Sequence, residues 1–405
     1  MKILFYLPAV TPWWFETIIT PMLRALHAEA ELHVIVAPLW MNTGLEMRHV
    51  EPLADLPAIN WHIVQADDPA QFRLDGVAVE GLLDLVCAIN PDITIARSAD
   101  RKTPALFPGT VRHIMEPGAD PFRVPHRWFV LDESPFHHGF MPEGTEALAD
   151  HAATLIAPFW QAMTAKYAEP DAKSLRARLG LPKDRPVLAV PLQYEHEENL
   201  YGVGSPLQRG PAFIRELLDR LDAEIVLAIS DHPLNAQFLQ RGELDLIARD
   251  FPDRICLYSA GDDRRSPTSL LIRASDAVLI DRSKCVTQAT FLGAPIVHVG
   301  DSVMADWMNA TPLAALTANA LARRGLPAPD AAMTRRWFGW HYGMRLTDFE
   351  TVTLKTLQSR IFNDMDEAAI ARLVAFLAPW FEAGLQAPEA AIGRPGGAFD
   401  GEIAA

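Results

Sequence analysis

Short apolar runs alternate with helical stretches along the whole chain. Residues 2–7 (KILFYL), 32–37 (LHVIVA), 93–96 (ITIA), 112–115 (RHIM) and 128–131 (WFVL) are each followed by Pro or a charged residue. That is the pattern of strands covered on both faces in a mostly parallel sheet. Between the first two, Phe15, Ile18, Ile19, Met22, Leu23 and Leu26 keep the spacing of one helix face. Thr11 is placed to cap that helix, with Pro12 at its first position. Residues 77–89 and 147–167 read as further helices, the second interrupted at Pro158. The alternation restarts at 187–190 (VLAV) and runs through 224–229 (EIVLAI), 255–258, 277–280 (AVLI) and 295–299 (PIVHV). Helical stretches at 211–221, 238–247 and 269–274 lie between these strands. Two doubly wound α/β units are predicted, each Rossmann-like.

The expected boundaries follow from composition. Residues 1–168 form the first domain and 169–185 (EPDAKSLRARLGLPKDR) the linker. Residues 186–366 form the second domain, and 367–385 a closing amphipathic helix. The Ala/Gly/Pro-rich stretch 386–405 reads as a flexible tail. The aromatics Trp337, Phe338, Trp340, His341 and Tyr342 are expected to pack the C-terminal helices. Trp13 and Trp14 are either core or a lip of the ligand cleft.

A length of 405 residues suits two domains. The net charge of −15 opposes binding to nucleic acid, which needs a basic surface. Cys87, Cys256 and Cys285 are far apart in apolar surroundings, without metal-ligand spacing, and read as buried structural thiols of a cytoplasmic protein. No run of roughly eighteen apolar residues is evident, so any meeting with a membrane is expected to be peripheral, at the inner face.

The candidate chemistry follows the strands, where open α/β sheets hold their ligands. After 187–190 the chain reads PLQYEHEENLYG, bringing Gln193 and the acids Glu195, Glu197 and Glu198. His232-Pro233 follows 224–229, and Arg282-Ser283-Lys284 follows 277–280. Ser283 and Lys284 open a helix, a place where backbone N–H groups and a cation favour an anion. Glu116 follows 112–115 in a Pro/Gly-framed loop, and Asp132 follows 128–131 with His137 and His138 close by. No G-x-G-x-x-G and no G-x-x-x-x-G-K-[ST] occurs, which weakens dinucleotide and kinase readings.

These segments resemble bacterial glycosyltransferases of the GT-B type, and more narrowly the capsule polysaccharide biosynthesis family that includes the Kdo transferases. The likeness is carried by M-E-P-G at 115–118 with Leu131-Asp132, V-P-L-Q at 190–193 with an acid four residues on, His232-Pro233, and Ser283 before L-G-A-P-I-V-H-V-G at 292–300. The chain departs from that pattern in having Glu197 where the family has Asp, and Lys284 and Gln288 in the segment after Ser283.

The resemblance implies two Rossmann-like domains facing a central cleft and metal-independent transfer from a nucleotide-sugar donor. The donor is a CMP-ulosonic acid such as CMP-Kdo, or an NDP-hexose. The acceptor is a surface or capsular polysaccharide or glycolipid, and no cofactor is needed. It implies Glu116, Asp132 and Glu197 as catalytic acids, with Glu195 and Glu198 competing with Glu197. Gln193, His232, Pro233, Arg282, Ser283 and Lys284 would hold the donor. A sugar-nucleotide epimerase of the same shape and a non-catalytic glycan-binding assembly protein are the competing readings.

Overall fold

The computed structural model describes residues 1–56, 58–118, 121–122, 128–202, 210–259, 267–300, 303–323 and 325–387. The strands in chain order are β1 (Lys2–Tyr6), β2 (Glu31–Val36), β3 (Ile59–Ile63), β4 (Ile93–Ala96), β5 (Thr110–Met115), β6 (Trp128–Asp132), β7 (His137–His138), β8 (Val187–Pro191), β9 (Val226–Ser230), β10 (Ile255–Tyr258), β11 (Ala277–Ile280), β12 (Ile296–His298), β13 (Val303–Met304), β14 (Thr311–Pro312) and β15 (Thr347–Asp348). The first sheet has the order β3-β2-β1-β4-β5-β6-β15 and the second β10-β9-β8-β11-β12-β14. β1 to β5 run parallel; β6 and then β15 each join antiparallel. All pairings in the second sheet are parallel.

Sequence explains most of this. Ile3 to Tyr6 and Val187 to Pro191 are buried throughout, because helices cover both faces of each sheet. β3 was not expected, and its composition says why. INWHI is an outer strand whose Asn60 and His62 interrupt the apolar run. The α/β class with two Rossmann-like, doubly wound sheets is thus built into the two strand orders.

Two boundaries differ from expectation. The stretch 169–185, read as a linker with a short helix inside it, does contain a helix but packs as part of the second domain. Its helix Ala172–Leu179 buries Leu175 and Leu179 in the second domain's core, and Arg176 pairs with Asp276 at 2.6 Å. The second domain does not run to 366. β15 pairs with β6, and Leu357 and Ile361 enter the core under β1. The helix Ala331–Trp340 packs on Glu146–Ala168, so the chain returns to the first domain near residue 331.

The closing helix Glu367–Gln386 is long and apolar enough to cross a bilayer by composition, against expectation. Its Ile370, Val374, Leu377 and Phe381 instead bury against Glu146–Ala168. Helices come close here because Gly339 leaves room. A Cβ on it would sit 2.3 Å from the Ala149 carbonyl oxygen. The expected tail falls outside the described residues from 388 on.

Candidate functional site

In both sheets the strand order reverses direction beside the first strand, between β1 and β4 and between β8 and β11. Chains leaving neighbouring strands there pass to opposite faces and leave a crevice at the carboxyl ends. The two crevices meet, and four side chains occupy the meeting point. Trp14 follows β1. Thr11 Oγ1 accepts the Trp14 N–H at 3.3 Å and fixes the helix start. One turn on, Phe15–Ile19 widens to a π-turn just before Pro21, which has no N–H to continue the regular ladder. Arg97 follows β4 and lies flat on the Trp14 ring, 3.8 Å from its centroid, with Tyr201 of the second domain 5.0 Å away on another side.

Glu116 follows β5 and completes the group. Trp14 Nε1 donates to Glu116 Oε1 at 2.7 Å and Arg97 to the same oxygen at 3.3 Å. Lys284, from the second domain, reaches the other oxygen at 2.8 Å. Burial alone would raise this carboxyl. Arg97 and Lys284 outweigh it, and Glu116 lies well below the usual carboxylate range although 31% of its side chain stays open to the cleft. The backbone allows the close approach at Gly118, φ +92°, where a Cβ would stand 2.7 Å from Thr287 Oγ1.

Asp132 lines the same cavity, together with His137, His138, Trp307 and Thr290. Arg345 holds it through bonds of 3.0, 2.6 and 2.6 Å, and Arg345 lies over the rings of Trp337 and Trp340. Arg345 ends a second π-turn, His341–Arg345, so both π-turns of the described chain serve the cleft. Burial, then Arg345, pushes His138 down to about 3, so it is neutral. β7 pairs with β13 of the second domain, and Trp307 Nε1 donates to the Gly139 carbonyl at 2.7 Å. This clasp fixes how the two domains meet.

The loop after β8 sorts its acids differently from expectation. Glu195 is locked by Arg241 at 2.7 Å, and Arg241 also grips Asp231. Glu197, the expected catalytic acid of this loop, is exposed and bonds to none of the described residues. Glu198 is the acid that meets the opposite domain, accepting from Asn42 Nδ2. Asn42 sits at the tip of a two-residue turn in which Met41 and Asn42 both have positive φ. Buried Arg73 braces that turn by donating to Thr43 Oγ1 and to the Pro38 carbonyl.

The expected donor residues divide in two. Gln193 donates to Asp281, and Arg282 donates to the Tyr201 carbonyl at 2.7 Å, so both tie loops together. Ser283 Oγ accepts the Cys285 N–H at 3.2 Å and starts the helix Cys285–Phe291. With seven residues that helix has a short dipole, so the cation available to an anion is the Lys284 ammonium, 44% exposed. His232 Nδ1 accepts the Leu234 N–H, with Pro233 opening the helix Pro233–Phe238. The other nitrogen, Nε2, therefore carries the proton. Burial and the charge of Lys284 push His232 down to about 4, with Asp231 opposing.

Glu116 and Lys284 are thus brought together, Asp132 lines the same cavity paired with Arg345, His232 heads the helix Pro233–Phe238 within the field of Lys284, and Glu197 stays apart. Arg97, Arg345 and Tyr201 were missed. Of these only Arg97 gave a signal, as the first residue after a buried strand.

Among the described residues no group of three or more His, Cys, Asp or Glu is arranged to hold a metal ion.

No family model matches the chain, and no curated protein matches it. Solved structures similar to it include Thermosulfurimonas dismutans KpsC, a beta Kdo 2,7 transferase. It is 13% identical, covering 82% of this chain and 99% of that one, with a TM-score of 0.41. The lipopolysaccharide outer core galactosyltransferase WaaB is 12% identical over 94% of this chain and 97% of that one, at 0.32. The E. coli ADP-heptose heptosyltransferase II is 13% identical over 80% and 97%, at 0.24. At this level of likeness they carry no argument about the chemistry of this chain.

Proposed function

We propose that the protein is a glycosyltransferase. It moves a sugar from a nucleotide-activated donor, a CMP-ulosonic acid such as CMP-Kdo or an NDP-hexose, to a surface or capsular glycan or glycolipid, in the cytoplasm. The observation that carries this reading is the Glu116–Lys284 contact, a carboxylate of one domain on a cation of the other where the two crevices meet. Lys284 and the His232 Nε2–H favour the leaving phosphate, whose negative charge grows as the bond to the anomeric carbon breaks. Once the phosphate attracts Lys284, Glu116 loses its strongest exposed partner and becomes more basic. It then takes the proton of the acceptor hydroxyl as that oxygen bonds to the anomeric carbon. The electron pair of the broken bond leaves with the nucleotide. The clasp between β7 and β13 and the packing of Gly118 keep water from the donor.

The test is a thermal-shift panel with CMP, UDP, GDP and ADP, followed by release of nucleotide from the matching sugar donor. One nucleotide should stabilise the protein by mass action. Glu116→Gln should keep that shift and lower turnover at least about a hundredfold. Normal turnover in Glu116→Gln, or no shift with any nucleotide, would overturn the reading.

A further inference from the structure

The loop after β8 carries rings that the proposed chemistry leaves unused. Tyr194 and His196 hold their rings nearly parallel, 5.6 Å apart at 8°. Phe238, at the end of Pro233–Phe238, meets both at steep angles, 65° and 63°. Phe238 is nevertheless 57% exposed, which core packing does not explain. On its other side Tyr194 lies 5.6 Å from His232, and His232 feels the charge of Lys284. From His232 the rings therefore run through Tyr194 to His196 and Phe238.

We infer that Tyr194, His196 and Phe238 form the platform on which the nucleobase of the donor stacks. The inference rests on Lys284 and His232 as the phosphate site. A nucleoside phosphate separates its phosphate from a flat base by one ribose, and here His232 is followed by two half-buried rings, Tyr194 and His196, and one exposed ring, Phe238. Stacking on aromatic side chains suits every base, because each has a π-face. A bare sugar would be recognised through its hydroxyls. The Glu198 carboxylate at this spot is already engaged, since it accepts from Asn42. The surface left open is aromatic.

Calorimetry on the full chain with CMP, UMP, GMP, AMP and ribose 5-phosphate tests this. At least one nucleotide should bind about tenfold more tightly than ribose 5-phosphate. Phe238→Ala, at an exposed position, should remove most of that advantage and leave ribose 5-phosphate binding within about twofold. Tyr194→Ala should do the same. Equal binding of nucleotides and ribose 5-phosphate, or an undiminished preference in Phe238→Ala, overturns the platform alone. If no phosphate compound binds the wild type, the Lys284–His232 site falls and the platform with it.

Discussion

Two carboxylates face the same cavity and are held in opposite ways. Asp132 is gripped by Arg345 of its own domain, with both side chains only 12% and 11% exposed and the guanidinium roofed by Trp337 and Trp340. Glu116 has two buried partners, Trp14 and Arg97, and one that comes from the other domain and is 44% exposed. A buried, multiply bonded pair is costly to open, whereas a partly exposed lysine is easily drawn away by a competing anion. The first arrangement suits a brace and the second a reactive group. The expected catalytic role of Asp132 is accordingly better read as positioning. It anchors β6 to the returning C-terminal segment beside the cleft.

The largest effect that separates the two is on stability. Arg345→Met should strand the Asp132 carboxylate in a poorly solvated site and destabilise the protein by about 3–5 kcal/mol, read from urea midpoints. Lys284→Met should fall well short of that, because water and Arg97 still reach Glu116. Equal losses in the two variants would remove the distinction.

A smaller effect sharpens the same comparison through pH. The Glu116 carboxyl is depressed in the folded protein; burial opposes this, but Arg97 and Lys284 prevail. Its contribution to stability is therefore present in full above the unfolded value of about 4.3. It is lost as pH falls through the lower folded value. The gap in urea midpoint between wild type and Glu116→Gln should stay constant from pH 7 to about 5 and narrow below the unfolded value. A gap that widens on acidification would mean the carboxyl is raised, not lowered.

The parts of this site that could be read in the sequence are those written locally. VLAV at 187–190 announces a buried strand because both its faces are covered, and Glu116, His232 and Lys284 are conspicuous because each follows such a strand. Pairings across the chain left no trace. Arg345 meets Asp132 from 213 residues away, and nothing near 345 shows which domain it serves. β15, two residues long, is too short for a periodic pattern, so the return of the chain to the first sheet was invisible. The acidic loop shows the same limit on a smaller scale. Composition offers three acids, and the tertiary neighbours Arg241 and Asn42 decide what each one does.

The smallest expected effect comes from that loop. Glu197 is exposed and bonded to none of the described residues, so Glu197→Gln should change stability by no more than about 0.5 kcal/mol. It should also leave donor turnover within about twofold of wild type, as fits a surface residue outside the reacting group. Glu198→Gln removes the negative charge facing Asn42 and Tyr194 and should raise the KM for donor severalfold while sparing kcat. The contrast depends on one residue step along the loop. If Glu197→Gln instead abolished turnover with donor binding intact, Glu197 would act as a nucleophile, in a conformation of the loop that turns it inward. The comparison of Glu116 with Asp132 would then omit the carboxylate that reacts first.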